Sequence, residues 1–213
     1  AAYGQTWQTL AGSLGDARNW DVFLEETLPP IAAAFPENKD VKRLRKAAQA
    51  RAKCARKSVI GLLAVSEYPR LLLEFTAAIY TLGDTLPMPL TDFARQQIAS
   101  HAKKARKLAS RHGELCPAER HKMRIVFKKL RYTLEFFAPL LPPRRLKAYL
   151  AALTQLQDEL GLINDQVTAE TLIAEALKGR PIGPIHGWVA GRHALLVGEL
   201  PEALNTWLAQ RTP

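Results

Sequence analysis

The spacing of apolar residues constrains this chain more than any other feature. In three separate stretches they recur every three or four positions, with basic residues between them. Over 41–62, Leu44, Ala48, Ala55 and Leu62 share one helix face, while Lys42, Arg45, Lys46, Lys53 and Arg56 lie on the other side. Over 94–112, Ala94, Ile98, Ala102, Ala105 and Leu108 oppose Lys103, Lys104, Lys107 and Arg111. Over 120–137, Met123, Val126, Phe127, Leu130, Leu134 and Phe137 gather on one side. A repeat near 3.6 residues is that of an amphipathic α-helix, whereas a half-buried strand alternates every second residue. No stretch reads as strand-rich, so the expected fold class is all-α.

Capping and breaking residues divide the chain further. "SLGD" at 13–16 reads as a break after a first helix. A helix follows from about Arg18, ended or kinked by Pro29 and Pro30. Asn38 opens a long helix to about Val65, and Ser66 can cap the next, which stops at Gly83. "GDTLPMPL" at 83–90 is a loop and the best candidate boundary. Thr91 caps a helix running to about His112, and Gly113 ends it. After the 120–137 segment, helices are expected over 143–160 and 164–178. A loop "GRPIGPIHG" follows, then one or two C-terminal helices anchored in the core by Trp188 and Trp207.

The segment "RHKMRIVFKKLRYTLEFFAPLLP" at 120–142 carries the clearest chemistry. At 100° per residue, His121, Arg124, Lys128, Arg131 and Glu135 fall in one stripe about 80° wide, opposite the core face. Pro117 suits the first turn and Pro142 the exit. One reading is a solvated face. The other is an anion site. Surface faces usually mix signs, and here Glu135 is the sole acid, which favours the anion site. Arg donates two parallel bonds to phosphate oxygens, and Lys adds a point charge. Arg51 breaks the pattern by lying on the alanine-rich face of its helix. It is either a snorkelling Arg paired with an acid or a residue reaching an internal anion channel.

The charge balance points the same way. The chain has 30 Lys and Arg against 20 Asp and Glu, a net +10, which favours an anionic partner. Two cysteines, Cys54 and Cys116, make no disulfide framework and suit a reducing compartment. With neither a signal peptide at the start nor an apolar run long enough to span a bilayer, a cytoplasmic protein without membrane attachment is expected. There is no HExxH, no Gly-rich phosphate loop, no GxSxG elbow and no pair of carboxylates on a basic face. His101, His112, His186 and His193 are scattered. No catalytic residue, metal site or cofactor is therefore expected.

An internal repeat is also visible. "LGDARNWDVFLEETL" at 14–28 parallels "LGLINDQVTAETLIA" at 160–174, an offset of 160 − 14 = 146. The glycines are expected to permit a break between helices, with the following polar pair capping the next one. Applied to His121, the offset gives 121 − 146 = −25. A first copy of the His/Arg helix would precede residue 1, so the chain is expected to be truncated.

"HKMRIVFKKLRYTLEFF" with the downstream "LQDELGLINDQ" resembles the second half of the conserved histidine α-helical domain, CHAD. "LGDARNWDVFLEETLP" resembles the end of its first half. The resemblance covers nearly the whole chain. It implies two pseudo-symmetric four-helix bundles, the first incomplete here, over 1–85 and 86–213. It also implies a basic surface or channel that binds inorganic polyphosphate, associated with polyphosphate granules or attached to a CYTH-type triphosphatase domain. His121, Arg124, Lys128 and Arg131 match the family's second-half motif, and Tyr132 and Glu135 its extension. Arg18 and Asp21 match the first-half pattern, with Asn19 in place of the usual Asp. Lys104, Lys107 and Arg111 would join the stripe if an antiparallel hairpin set both basic faces along one groove. Glu135 would orient the cationic heads or accept from Tyr132. Non-specific nucleic-acid binding is the alternative. It is less favoured because the basic faces lack aromatics for stacking and Asn or Gln for base reading.

Overall fold

The computed structural model describes residues 2–82, 88–111, 113, 115–180 and 182–213, and every regular element among them is helical. The α-helices are α1 (Ala2–Val22), α2 (Leu28–Ala34), α3 (Lys39–Ala64), α4 (Glu67–Tyr80), α5 (Leu90–Ala109), α6 (Pro117–Phe136), α7 (Pro143–Ala176) and α8 (Gly183–Leu208). A π-helical turn, Phe23–Thr27, joins α1 to α2. A 3-10 turn, Ala138–Leu140, follows α6. The all-α expectation holds.

Several boundaries differ from the sequence reading. Helix α1 runs through "SLGD" without a break, and α7 is one helix of 34 residues through Leu160-Gly161-Leu162. A Cβ built on Gly15 or Gly161 meets nothing within 4 Å, so neither glycine serves a close approach or a turn. Apolar phase carries α7 across the glycine, because Leu156, Leu160 and Ile163 are all buried. Pro29 and Pro30 do not end their helix outright. They sit in the first turn of α2, and the π turn before them spans the region where two N–H donors are missing. Asn38 caps α3 as expected, its side chain accepting from the backbone N–H of Asp40 at 2.8 Å and of Val41 at 3.3 Å. Ser66 makes no side-chain cap bond to α4, and α5 starts at Leu90, ahead of Thr91. Helix α8 takes in 183–187, which had read as loop. Of "GDTLPMPL", residues 83–87 lie outside the described residues, Gly83 as a helix stop among them, as does His112; α5 ends at Ala109, ahead of Gly113.

The chain divides into two compact units. The first comprises Ala1–Thr85 and Asp165–Ala190, the second Leu86–Asn164 and Gly191–Pro213. Residues 165–190, expected in the second bundle, therefore group with the first. The physical reason is that α7 and α8 are each long enough to supply apolar residues to both cores. The first core holds Trp20, Phe23, Leu28 and Ile31, set against Leu44 and Ala48 of α3 and Ile173, Ile185 and Val189 of α7 and α8. The second holds Ala94, Ile98, Ala102 and Ala105 of α5 against Met123, Phe127, Leu130 and Leu134 of α6. Tyr149, Leu153 and Leu156 of α7 and Leu204 and Trp207 of α8 complete it. Alanines on α5 let α6 come close, and the large side chains of α6 fill the space. Trp207 is fully buried and meets Phe127 edge-on at 4.7 Å, whereas Trp188 is only partly buried.

Arg106 fastens the C-terminal segment of the second unit. Its Nη1 donates to the carbonyl of Leu208 at 2.8 Å, its Nη2 to that of Gln210, and its guanidinium lies 5.3 Å from the Trp207 ring centre. Gln157 of α7, also buried, donates to the Phe127 carbonyl at 2.7 Å and ties α7 to α6.

Candidate anion-binding site

Helix α6 begins with a reciprocal cap. Pro117 stands in its first turn, where a missing N–H costs nothing, and the Glu119 carboxylate accepts from the Cys116 backbone N–H at 3.1 Å. That bond, with nearby Arg111 and Lys122, holds the Glu119 carboxyl below the usual carboxylate range. From there the apolar phase fixes the helix: Met123, Phe127, Leu130 and Leu134 are fully buried. The stripe of His121, Arg124, Lys128 and Arg131 is consequently turned away from the core.

The four stripe residues are not equivalent. His121 is exposed, and Arg124, Lys128 and Arg131 are half-buried. Arg131 is the most enclosed, its side chain 25% exposed. Its Nε is 3.6 Å from Glu135 Oε1, an ion-pair distance too long for a hydrogen bond, and that buried Nε has no hydrogen-bond partner. Tyr132 supplies a half-exposed ring for both cations: the Arg131 guanidinium lies 5.2 Å and the Lys128 Nζ 5.9 Å from its centre. Tyr132 thus offers its ring face to both cations. No ion pair among the described residues engages Arg124 or Lys128, so both keep their charge uncompensated. His121 makes one side-chain contact, from Nδ1 to Oδ1 of Asn164 on α7, at 3.0 Å.

The remaining expected residues are distributed differently. Lys104 and Lys107 are exposed on α5, and Arg111 is exposed beyond its end. Burial first, then Lys104 and Lys129, push the His101 pKa down, so both amines lie near that imidazole. On a helical wheel Lys129 is about 120° from the middle of the stripe. No hydrogen bond or ion pair among the described residues joins Lys104 or Lys107 to it. Arg18 and Arg51 belong to the first unit. Arg51 is exposed and pairs with Glu175 at 3.3 Å, so it points to solvent and takes an acid partner, not an interior channel. Asp21 pairs with Arg56 at 2.7 Å.

Sequence reasoning missed Asn164, Lys129 and Arg106. An Asn following Leu-Gly reads as a helix cap, which hid the first. Arg106 falls between the two faces of α5, which gave it no role. Among the described residues no group of three His, Cys, Asp or Glu side chains comes together as a metal site would need. No helix among them is long and apolar enough to cross a membrane.

A family model described as the CHAD domain matches residues 1–174. The chain belongs to the CHAD-domain family. The crystal structure of the CHAD domain from the plant Ricinus communis is similar in fold, with a TM-score of 0.86 and 30% sequence identity. The match covers 100% of this chain and 74% of that one. No curated protein matches the chain. The CHAD assignment accounts for the all-helical architecture and for the long His-to-Arg motif on α6.

Proposed function

We propose that the protein binds inorganic polyphosphate on the α6 stripe and has no hydrolytic activity of its own. The observation that carries this reading is Arg124 and Lys128, half-buried, with no acid partner among the described residues, and flanked on one face by His121 and Arg131. Polyphosphate offers a charge on every phosphate and no base to stack or edge to read. A binder therefore needs cations in a row, donors that match phosphate oxygens, and no aromatic ladder. Membership of the CHAD family, whose motif resembles this one, supports the same ligand. Side chains held by half-burial also lose less freedom on binding than fully solvated lysines do. The role is accessory: it targets the protein to a polyphosphate store or serves an attached enzyme.

Titration of long-chain polyphosphate by calorimetry tests the reading, together with a phosphate-release assay in Mg²⁺. Saturable heat without turnover is expected, and binding should exceed that of duplex DNA at matched ionic strength. Turnover by this chain would refute the accessory role, and equal affinity for DNA would replace polyphosphate with a general polyanion.

A further inference from the structure

The Leu-Gly-Leu-Ile-Asn run on α7 has no part in the binding reading so far, and the structure removes its expected role as a helix break. Its apolar members explain its placement. Leu160 and Ile163 are buried in the second core, which fixes the rotation of α7 at this level. Asn164 follows directly, half-buried, and its Oδ1 meets His121 Nδ1 at 3.0 Å. We propose that Asn164 is the positioning residue of the anion site: its Oδ1 accepts from His121 Nδ1–H, which leaves Nε2 as the ring nitrogen that donates to a phosphate oxygen when the imidazole carries both protons.

The chemistry follows from the acceptor. A carboxamide oxygen only accepts, so the Nδ1 that faces it carries the hydrogen. A histidine's second nitrogen is set by what the first one bonds. The two imidazole nitrogens lie on opposite sides of Cε1, so tying Nδ1 to α7 directs Nε2 away from α7. Without that bond, His121 is an exposed side chain whose rotamers would have to be fixed at the moment of binding. The repeat gives a second indication. The first-copy counterpart is Arg18 (164 − 146 = 18), so the helix itself does not demand an amide at this position.

This role rests on the polyphosphate reading, and one set of measurements separates the two. In ¹⁵N-histidine-labelled full chain, the neutral His121 imidazole, assigned by its loss in H121A, should show the Nδ1–H pattern in long-range ¹⁵N–¹H correlation. N164A should shift it toward Nε2–H, while N164D, which keeps an accepting oxygen, should retain Nδ1–H. By calorimetry with long-chain polyphosphate, N164A should weaken binding roughly three- to tenfold, the range of one ordinary hydrogen bond. H121A combined with N164A should be no weaker than H121A alone. An Nε2–H tautomer in the unaltered protein, or loss of Nδ1–H in N164D, overturns the positioning role. So do additive losses in the double variant, and so does binding that H121A weakens and N164A leaves intact. If the unaltered protein fails to bind polyphosphate, the functional reading falls and takes this role with it, whatever the tautomer.

Discussion

Arg106 and Arg124 lie on adjacent helices of the second unit, and replacing each with alanine should give opposite results. Arg106 is committed to the fold. It donates to the carbonyls of Leu208 and Gln210 and covers the ring of Trp207 at 5.3 Å. A hydrogen bond involving a charged group contributes about 1.5–3 kcal/mol, and a cation over an aromatic ring about 0.5–1 kcal/mol where solvent reaches it. Both carbonyls lie in the last residues of the described chain, where water can replace the lost donor. The low end of each range therefore applies, and Arg106→Ala should cost about 3–4 kcal/mol. In a chain of this size that is a fall of about 6–16 °C in melting temperature. Urea unfolding followed by circular dichroism reads the loss as a lower midpoint at unchanged slope. Polyphosphate affinity of the folded protein should stay within about twofold, since the guanidinium is not on the stripe. A midpoint unchanged within error, with affinity reduced instead, would refute the division of α5 and α6 arginines into structural and ligand groups.

Arg124→Ala and Lys128→Ala should each weaken polyphosphate binding about tenfold or more in calorimetry, while melting temperature moves little, since each removes a charge that has no acid partner among the described residues. Phe127→Ala should do the reverse, costing about 3–5 kcal/mol in urea unfolding through a cavity beside Trp207. Binding should weaken steeply as salt rises, because several cations on one polyanion release counterions together, and a flat response between low and physiological salt would contradict a multi-cation surface. The His101 pKa is lowered in the fold, so the unfolded chain takes up the proton first. Stability from this group is present above about pH 6.5, the ordinary His value, and is lost as pH falls through the lower folded value. His101→Gln should flatten the stability profile over that window in pH-dependent urea titrations.

The parts of the fold that rest on helical phase were legible in the sequence. The core faces of α5 and α6 read directly from Ala94, Ile98, Ala102, Ala105 and from Met123, Phe127, Leu130, Leu134, all of them buried. The stripe followed from the same phase. What failed was punctuation. A glycine beside polar residues resembles a helix stop, yet the buried run Leu156–Leu160–Ile163 continues across Gly161, and extending the apolar phase would have joined the two segments. Helical phase says which residues share a face but not which neighbour that face meets, so the place of Lys104 and Lys107 relative to the stripe was not legible in the sequence. The acid that engages Arg51, Glu175, lies more than a hundred residues away and could not be seen locally.

The sharing of α7 and α8 between two cores bears on how the chain is made. On a ribosome the first unit emerges early, yet Ile173, Ile185 and Val189 of its core are translated only after the whole of 86–164. Trp20, Phe23 and Leu44 must therefore wait, partly unsheltered, until the residues up to Val189 have followed. The second unit meets the same delay, because Leu204 and Trp207 come later still. The first unit therefore cannot close its core until most of the second has been made, and a nascent chain stalled near residue 85 would hold a half-built core that chaperones must protect.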